Sequence, residues 1–253
     1  MQSGLKVLLV DIETAPCLGW AWGIWEQNII DLKKSWYILA FAYKWQGERK
    51  VHAKAITDYK RFKKDKEDDK ELVKDLWRLF NEADVIIAHN GDKFDIRKSN
   101  ARFVKHDLLP PAPYKSVDTL KLARSQFGFL SNRLNDLGAY LNIGRKLPHM
   151  GFDLWKRCML GERKAIKKMK AYNARDVWLL EKVYDRLKPW AKSHPDLAEG
   201  DGCPTCKSTH VHRRGRVRQT RKYQFNCVDC GHWWTAVVTG ESDVAGNRRR
   251  SGM

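Results

Sequence analysis

Two carboxylates lie one residue apart where an apolar segment of the chain ends. The apolar run 8–10 predicts a buried strand, and Asp11 and Glu13 stand at its end. Because residues i and i+2 of a strand point to the same face, the two side chains are expected to share a face. An isolated buried anion is costly, so buried carboxylates need a partner that keeps them charged. The spacing therefore predicts a bound cation.

Two later segments carry further acidic groups. HNGDKFD (89–95) follows a predicted short strand and places Asp95 at the start of a predicted helix. YNARDVWLLEKVY (172–184) is a predicted helix, on which Tyr172 and Asp176 share a face because they are four residues apart. Taken separately, Asp95 is explained by the helix dipole and Asp176 by a surface ion pair. Taken together with the first pair, they give four carboxylates that could converge at one end of a sheet.

Four carboxylates cannot share a site as free anions, because their mutual repulsion would force protonation. Hard divalent cations with oxygen ligands resolve this conflict, and Mg²⁺ or Mn²⁺ fits best. Two such ions about 4 Å apart can activate a water and stabilise the leaving oxygen of a phosphodiester. The pattern therefore predicts a two-metal nuclease site, which would serve an exonuclease or an endonuclease equally well.

The ordered motifs D-I-E-T, H-N-x-x-x-F-D and Y-x-x-x-D resemble the DEDDy branch of the DnaQ-like 3′–5′ exonucleases. The similarity extends to stand-alone relatives of the exonuclease domain of family B DNA polymerases. It is supported by the segments SVDTLKLARSQF and SNRLNDLGAYLNIGRK and covers roughly residues 5–190. The resemblance implies a ribonuclease H-like fold and hydrolysis from a 3′ end to nucleoside 5′-monophosphates, with DNA the favoured substrate.

The resemblance also implies a role for each matched residue. Asp11 would bridge both metals, and Glu13 and Asp176 would complete the tighter site. Asp95 would hold the second metal, partly through water. Tyr172 would orient the attacking water, because an unperturbed tyrosine pKa near 10 does not suit a strong base.

Three further residues lie close to these motifs. Asn90 is expected to contact the substrate near the scissile phosphate. Asp118 matches a family position, but capping of the following helix explains it adequately, so it is left outside the site. Phe94 is expected to lie in the core.

Four cysteines form two C-x-x-C pairs, CPTC and CVDC, separated by 20 residues. This spacing is typical of a structural zinc site, whose ligands would be Cys203, Cys206, Cys227 and Cys230. A module this small cannot build an adequate core, so zinc would supply much of its folding free energy. The sequence therefore predicts a C-terminal zinc ribbon.

The segment between the two cysteine pairs is basic and free of acidic residues. The cationic side chains of its stretch 213–222 are Arg213, Arg214, Arg216, Arg218, Arg221 and Lys222. Cations of one sign beside aromatic residues favour contact with phosphates and bases. Two alternatives stay open: a merely soluble hairpin, and a surface that binds a replication or repair protein.

The formal net charge of +18 favours a polyanionic partner, with nucleic acid ahead of acidic membrane surfaces. No apolar run approaches the roughly 20 residues that span a bilayer. These features predict a cytoplasmic protein that binds nucleic acid and no membrane. The family resemblance further implies that the nucleic acid is DNA with a 3′ end and that the source is a bacterial or phage-infected cell.

The order of elements predicts the fold class. Strands come first, at about 5–10, 35–45, 50–56 and 84–90, and helices then dominate, which is typical of a mixed α/β sheet flanked by helices. The Trp-rich segment LGWAWGIWEQN (18–28) is expected to pack on this sheet, with base stacking as the alternative.

The predicted boundaries are an exonuclease domain over 1–192, a linker over 193–202, a zinc ribbon over 203–240 and a basic flexible tail over 241–253.

Two other functions remain. One is a structure-selective endonuclease that uses the same metal site. The other is a non-catalytic nucleic-acid-binding adaptor. The four carboxylates argue against the adaptor, because a surface that only binds polyanions would gain from losing four anions.

Overall fold

The structure is a computed structural model that describes residues 5–23, 25, 28–148, 151–198, 202–217, 219–220 and 222–237. The chain forms two compact units, Met1–Ala191 and Lys192–Met253. The predicted linker and ribbon boundaries remain predictions. The predicted tail and the last residues of the predicted ribbon lie outside the described residues.

The first unit is built on a mixed five-stranded sheet. Its strands, with those of an accessory hairpin, are Val7–Thr14 (β1), Leu18–Trp20 (β2), Asp31–Lys34 (β3), Ile38–Trp45 (β4), His52–Ala55 (β5), Val85–Ala88 (β6) and Lys115–Asp118 (β7). The order is β5-β4-β1-β6-β7, and β2 and β3 form the separate hairpin. Strand β4 is antiparallel to β1 and β5, whereas β1, β6 and β7 run parallel. This order confirms the predicted fold class.

Helices cover both faces of the sheet. They are Lys70–Glu82 (α1), Asp95–Lys105 (α2), Thr119–Gln126 (α3), Leu134–Tyr140 (α4), Phe152–Met159 (α5) and Arg163–Leu187 (α6). Leu8 and Val10 of β1 share a core cluster with Leu72 of α1, whereas Asp11, on the alternate face, contacts α6. No helix among the described residues is both long and apolar enough to cross a membrane.

The topology brings the acidic motifs to one edge of the sheet. Strand β1 is buried from Val7 to Val10 and ends in the D-I-E-T motif. Its neighbour β6 is parallel to it and leads through a short loop into α2, which begins at Asp95. Because the carboxyl ends of parallel strands meet at the same edge, the two motifs become neighbours.

The structure differs from the sequence-based expectations at the Trp-rich segment. The segment leaves the sheet as part of the β2–β3 hairpin, and the expected packing on the sheet is wrong for all three of its tryptophans. Trp20, Trp22 and Trp25 are 64%, 89% and 81% exposed. Apolar composition alone did not reveal that this segment is an insertion between two paired strands.

The second unit contains a small antiparallel sheet. Its strands are Val211–Arg216 (β8), Tyr223–Cys227 (β9) and Trp233–Ala236 (β10), in the order β10-β9-β8. Gly215 has a φ of 135°, a conformation that favours glycine, at the point where the β8–β9 register shifts. The sheet and its four clustered cysteines confirm the predicted small C-terminal module.

Candidate active site and cysteine cluster

Three of the four predicted carboxylates form one cluster. Asp11 and Glu13 extend from β1 and Asp176 from α6, and one oxygen from each lies within 4.8 Å of the others. Asp176 is buried, whereas Asp11 and Glu13 keep partial access to solvent. An oxygen-only donor set with an open side suits a hard divalent cation. The residues present therefore fit the ion type that the sequence predicts.

Asp95 lies next to this cluster but is not one of the three. It is buried, and its Oδ1 accepts a 3.0 Å hydrogen bond from the backbone N–H of Ile12. Since Ile12 stands between Asp11 and Glu13, this bond fixes the first residue of α2 to the strand that carries both. The fourth carboxylate is thus placed beside the other three by a contact to the backbone.

Burial and mutual repulsion make these acids reluctant to ionise. Burial raises the pKa of Glu13 to about 8, and the Asp176 charge adds to the shift. Burial raises the pKa of Asp95 to about 7, although the N–H of Ile12 acts in the opposite direction. Burial also raises the pKa of Asp11 well above its ordinary value, with further contributions from the neighbouring carboxylates. A bound cation would reverse these shifts, which is the electrostatic requirement of a metal site.

Lys146 supplies the positive charge inside the cluster. Its Nζ lies 2.7 Å from Asp176 Oδ2 and 3.4 Å from the hydroxyl of Tyr172. Burial would lower the pKa of Lys146, but the Asp176 carboxylate raises it above its ordinary value, so the ammonium stays charged. Sequence reasoning missed Lys146, because it lies 30 residues before its partner in a segment without a regular element.

Asn173 holds Asp11 in place. The fully buried amide donates from Nδ2 to Asp11 Oδ2 and also to the backbone oxygen of Asp11, at 3.1 Å. Both partners are acceptors, so the amide nitrogen must face the strand. Sequence reasoning missed this residue too, although its place beside Tyr172 in the helix was the available signal.

Tyr172 is buried close to the carboxylates. Burial raises its pKa to about 12, with Asp176 adding to the shift, so the hydroxyl stays protonated at neutral pH. Trp155 packs edge-on against Tyr172 and hydrogen-bonds the Glu13 carboxylate. An open, mainly apolar hollow of about 310 Å³ adjoins this group and is lined by Thr14, Pro16, Gly151, Phe152 and Trp155.

The loop that carries Asn90 is fixed by Asp118. Asn90 has a φ of 67°, and its backbone N–H donates to Asp118 Oδ1 at 2.9 Å. The same carboxylate accepts hydrogen bonds from the backbone N–H groups of Leu120 and Lys121 at the start of α3, so Asp118 caps this helix as the sequence predicts. Phe94, expected in the core, is instead 36% exposed, so that expectation is wrong.

The second unit brings all four predicted cysteines together. Their sulfurs lie within 4.8 Å of one another, with Cys203–Cys230 at 3.7 Å and Cys206–Cys227 at 3.6 Å. A tetrahedral zinc with bonds of about 2.3 Å separates its sulfurs by about 3.8 Å, whereas a disulfide requires about 2.05 Å. The spacing therefore fits a four-thiolate metal site and not a disulfide.

The basic hairpin of this unit presents an exposed cationic strand. Arg213, Arg214 and Arg216 on β8 are exposed, and the guanidinium groups of Arg213 and Arg216 lie 4.8 Å and 4.5 Å from the Tyr223 ring centre. Lys222 is also exposed. The two remaining predicted cations, Arg218 and Arg221, lie outside the described residues.

Comparison with known proteins bears on the first unit. Among solved structures, the chain is similar to the family B DNA polymerase from the hyperthermophilic archaeon Pyrobaculum calidifontis, with 13% identity and a TM-score of 0.48. The match covers 74% of this chain and 25% of the polymerase chain, so the protein spans about a quarter of that length. No curated protein matches the sequence.

A family model described as the RNase_H superfamily matches residues 33–188. The matched segment includes Asp95, Tyr172 and Asp176 and begins after the strand that carries Asp11 and Glu13. It covers more than half of the sequence and contains most of the mixed sheet. The chain therefore belongs to the RNase H superfamily.

Proposed function

We propose that this protein is a metal-dependent 3′–5′ exonuclease that hydrolyses nucleic acid, with DNA favoured, to nucleoside 5′-monophosphates. The observation that carries the proposal is the cluster of Asp11, Glu13 and Asp176, with Asp95 tied to the strand between them. The 3′ polarity rests on the motif resemblance, because a set of carboxylates does not by itself select one end of a strand.

The carboxylates would hold two Mg²⁺ or Mn²⁺ ions, which would supply an activated water and stabilise the leaving oxygen. Asp11, Glu13 and Asp176 would hold one ion, and Asp11 together with Asp95 would hold the other. Asn173 would keep the Asp11 carboxylate oriented by its hydrogen bond to Oδ2.

Two side chains would act on the substrate and the water. The protonated hydroxyl of Tyr172 would donate a hydrogen bond and orient the attacking oxygen, since its pKa of about 12 makes it a poor base at neutral pH. Lys146, whose ammonium contacts Asp176, would lie within reach of the phosphate whose charge grows during cleavage.

The C-terminal module would hold one structural zinc through Cys203, Cys206, Cys227 and Cys230. With four thiolate ligands this site would be closed and would take no part in the chemistry. Its exposed arginines on β8 would contact phosphates and add to substrate affinity. A surface for a replication or repair protein is the alternative use of this strand.

One assay tests the proposed chemistry. Single- and double-stranded DNA and RNA, labelled at the 5′ or the 3′ end, are incubated with Mg²⁺, Mn²⁺ or EDTA. We expect metal-dependent shortening from the 3′ end. Asp11→Ala should slow it by at least about 10²-fold, a loss typical of removing a group that stabilises transition-state charge, while DNA binding persists.

The other outcomes identify the alternatives. Internal cuts with an intact 3′ label would indicate the endonuclease. Tight binding without cleavage under any metal would indicate the adaptor. Cleavage by Asp11→Ala at the wild-type rate would contradict the metal model.

A further inference from the structure

The β2–β3 hairpin exposes an unusually apolar surface. The large apolar side chains that are at least half exposed are Leu18, Trp20, Trp22, Trp25, Ile29, Ile30 and Leu32. Single exposed apolar residues are ordinary in soluble proteins, but contiguous exposed patches mark binding surfaces. Seven exposed apolar side chains within 15 residues therefore indicate a binding surface.

Hydrogen bonds join the base of the hairpin to the five-stranded sheet. The backbone N–H of Ala15 donates to the Tyr37 oxygen at 2.8 Å, which continues the β1–β4 pairing to the base of the hairpin. The N–H of Ile30 donates to Trp20 at 2.8 Å, and Lys34 forms an ion pair with Glu67. The base is thus anchored, while the tryptophans lie away from the core.

The hairpin also starts at the candidate active site. Strand β1 runs from Glu13 into β2 through only a few residues, at the edge of the sheet where the carboxylates cluster. Trp22 follows Glu13 by nine positions in the chain, and a chain extends by at most about 3.6 Å per position. Trp22 is therefore within about 32 Å of Glu13, the length of roughly nine stacked nucleotides at about 3.4 Å each.

We propose that the β2–β3 hairpin binds unpaired nucleic acid by stacking Trp22 and Trp25 on bases of the strand whose end lies at the carboxylates. This inference rests on the proposed function, since it assigns that function an extended single-stranded substrate. The hairpin would contact nucleotides on the 5′ side of the one being removed, because a strand whose 3′ end lies at the carboxylates continues only in that direction.

Three observations favour a nucleic-acid strand over a protein partner. Indole rings stack on any base, so they suit a substrate of variable sequence. The exposed Lys33 adjoins the apolar surface, and a +18 protein attracts polyanions. Apolar residues also lie on both faces of the β2–β3 hairpin. Trp20 pairs with Asp31 and the adjacent Gly19 pairs with Leu32, so Trp20 and Leu32 point to opposite faces. One globular partner would cover a single face, whereas unpaired bases can interleave with both.

The test compares a double variant, Trp22→Ala with Trp25→Ala, with the control Trp190→Ala. All three tryptophans are more than 60% exposed, so none of these substitutions empties the core. Affinity for a fluorescein-labelled single-stranded 20-mer is measured by anisotropy in EDTA. Hydrolysis of the p-nitrophenyl ester of thymidine 5′-monophosphate is measured with Mn²⁺, because this one-nucleotide substrate cannot reach the hairpin.

We expect the double variant to bind the 20-mer about 10-fold or more weakly, since a base–aromatic stack contributes at least several-fold to affinity. Hydrolysis of the ester should be unchanged, and Trp190→Ala should match the wild type in both measurements. Equal 20-mer affinity in the double variant and the wild type would overturn the proposal.

The two proposals fail separately. If the wild type hydrolyses no substrate but the double variant still loses affinity in EDTA, the exonuclease function fails and the hairpin assignment stands. Sedimentation velocity covers the protein alternative. A wild-type dimer that the double variant converts to a monomer, with 20-mer affinity unchanged, would assign the hairpin to a second copy of the chain.

Discussion

The carboxylate cluster and the cysteine cluster differ in what holds their ligands in place. The carboxylates stand on β1 and α6, within a unit whose core includes fully buried side chains such as Leu8, Phe41 and Phe80. In the second unit, the buried apolar side chains among the described residues are Leu197 and two of the cysteines. The packed core of the first unit thus positions the carboxylates. In the second unit, a metal bound by the cysteines would have to supply much of the folding free energy.

We therefore expect the two sites to respond oppositely to removal of the proposed ions. The carboxylates repel one another when no ion is bound, but the surrounding sheet keeps them together. The cysteines would have little packed structure to keep them together without the proposed zinc. The difference shows two relations between a metal site and a fold. A folded core can position the ligands before any metal binds, or the metal itself can stabilise the folded state.

The largest expected effect is at the cysteines. Cys227→Ser should unfold the residue 203–237 module, since a structural zinc contributes about 10–16 kcal/mol to such a module. The first unit should melt as in the wild type. Backbone NMR spectra and limited proteolysis measure the unfolding of the module, and a thermal melt measures the stability of the first unit.

Cys17→Ser is the matched control for that variant, because Cys17 is an exposed thiol outside the cluster. A folded, protease-resistant module in the Cys227→Ser protein would contradict the expectation that the second unit depends on its metal for folding.

A smaller effect is expected at Lys146. Lys146→Met removes the cation that faces the buried Asp176 and should lower the free energy of unfolding by about 1–3 kcal/mol without metal. Saturating Mg²⁺ should restore most of that loss, because the ion then neutralises the carboxylates. Urea unfolding with Mg²⁺ or EDTA measures the recovery.

Lys44→Met is the comparison for this recovery. The Lys44–Glu181 pair is also buried, at 2.7 Å, but neither residue belongs to the carboxylate cluster. Mg²⁺ should not rescue this variant beyond its effect on the wild type. Equal recovery of the two variants would show that the ion does not replace Lys146.

The smallest effect is a pH dependence of the first unit. In EDTA, folded Glu13 and Asp95 keep protons that the unfolded chain has lost, since burial raises their pKa values to about 8 and about 7. The unfolded state then binds fewer protons, so stability falls as pH rises from about 5 to 8. Glu13→Gln should flatten this slope in thermal melts, and saturating Mg²⁺ should too. A wild-type stability that rises over this range in EDTA would contradict the assignment.

Short-range patterns were sufficient to predict much of the candidate site. Asp11 and Glu13 share a face because strand side chains alternate, and Tyr172 and Asp176 do so because helical residues four apart align. The cysteine spacing likewise predicted the cluster that the structure forms. In each case the geometry depends on residues close together in the chain.

The parts that could not be predicted depend on distant contacts. Lys146 reaches Asp176 only after the intervening helices fold, and Asn173 becomes a buried partner only because β1 passes beside it. Strand β7 was missed because its four residues, KSVD, are short, polar and largely exposed at a sheet edge. The position of the hairpin was predicted wrongly because apolar composition alone does not distinguish a buried segment from an exposed one.

Asp118 shows how a count of functional acids can mislead. Its single carboxylate joins the start of α3 to the loop that carries Asn90 and leads to Asp95. Replacing it would let that loop drift and would reduce turnover, as replacing a ligand would. Added metal would not compensate, however, because the substitution removes the hydrogen bonds that join the start of α3 to the loop carrying Asn90. A scan scored by turnover alone would therefore count Asp118 among the ligands.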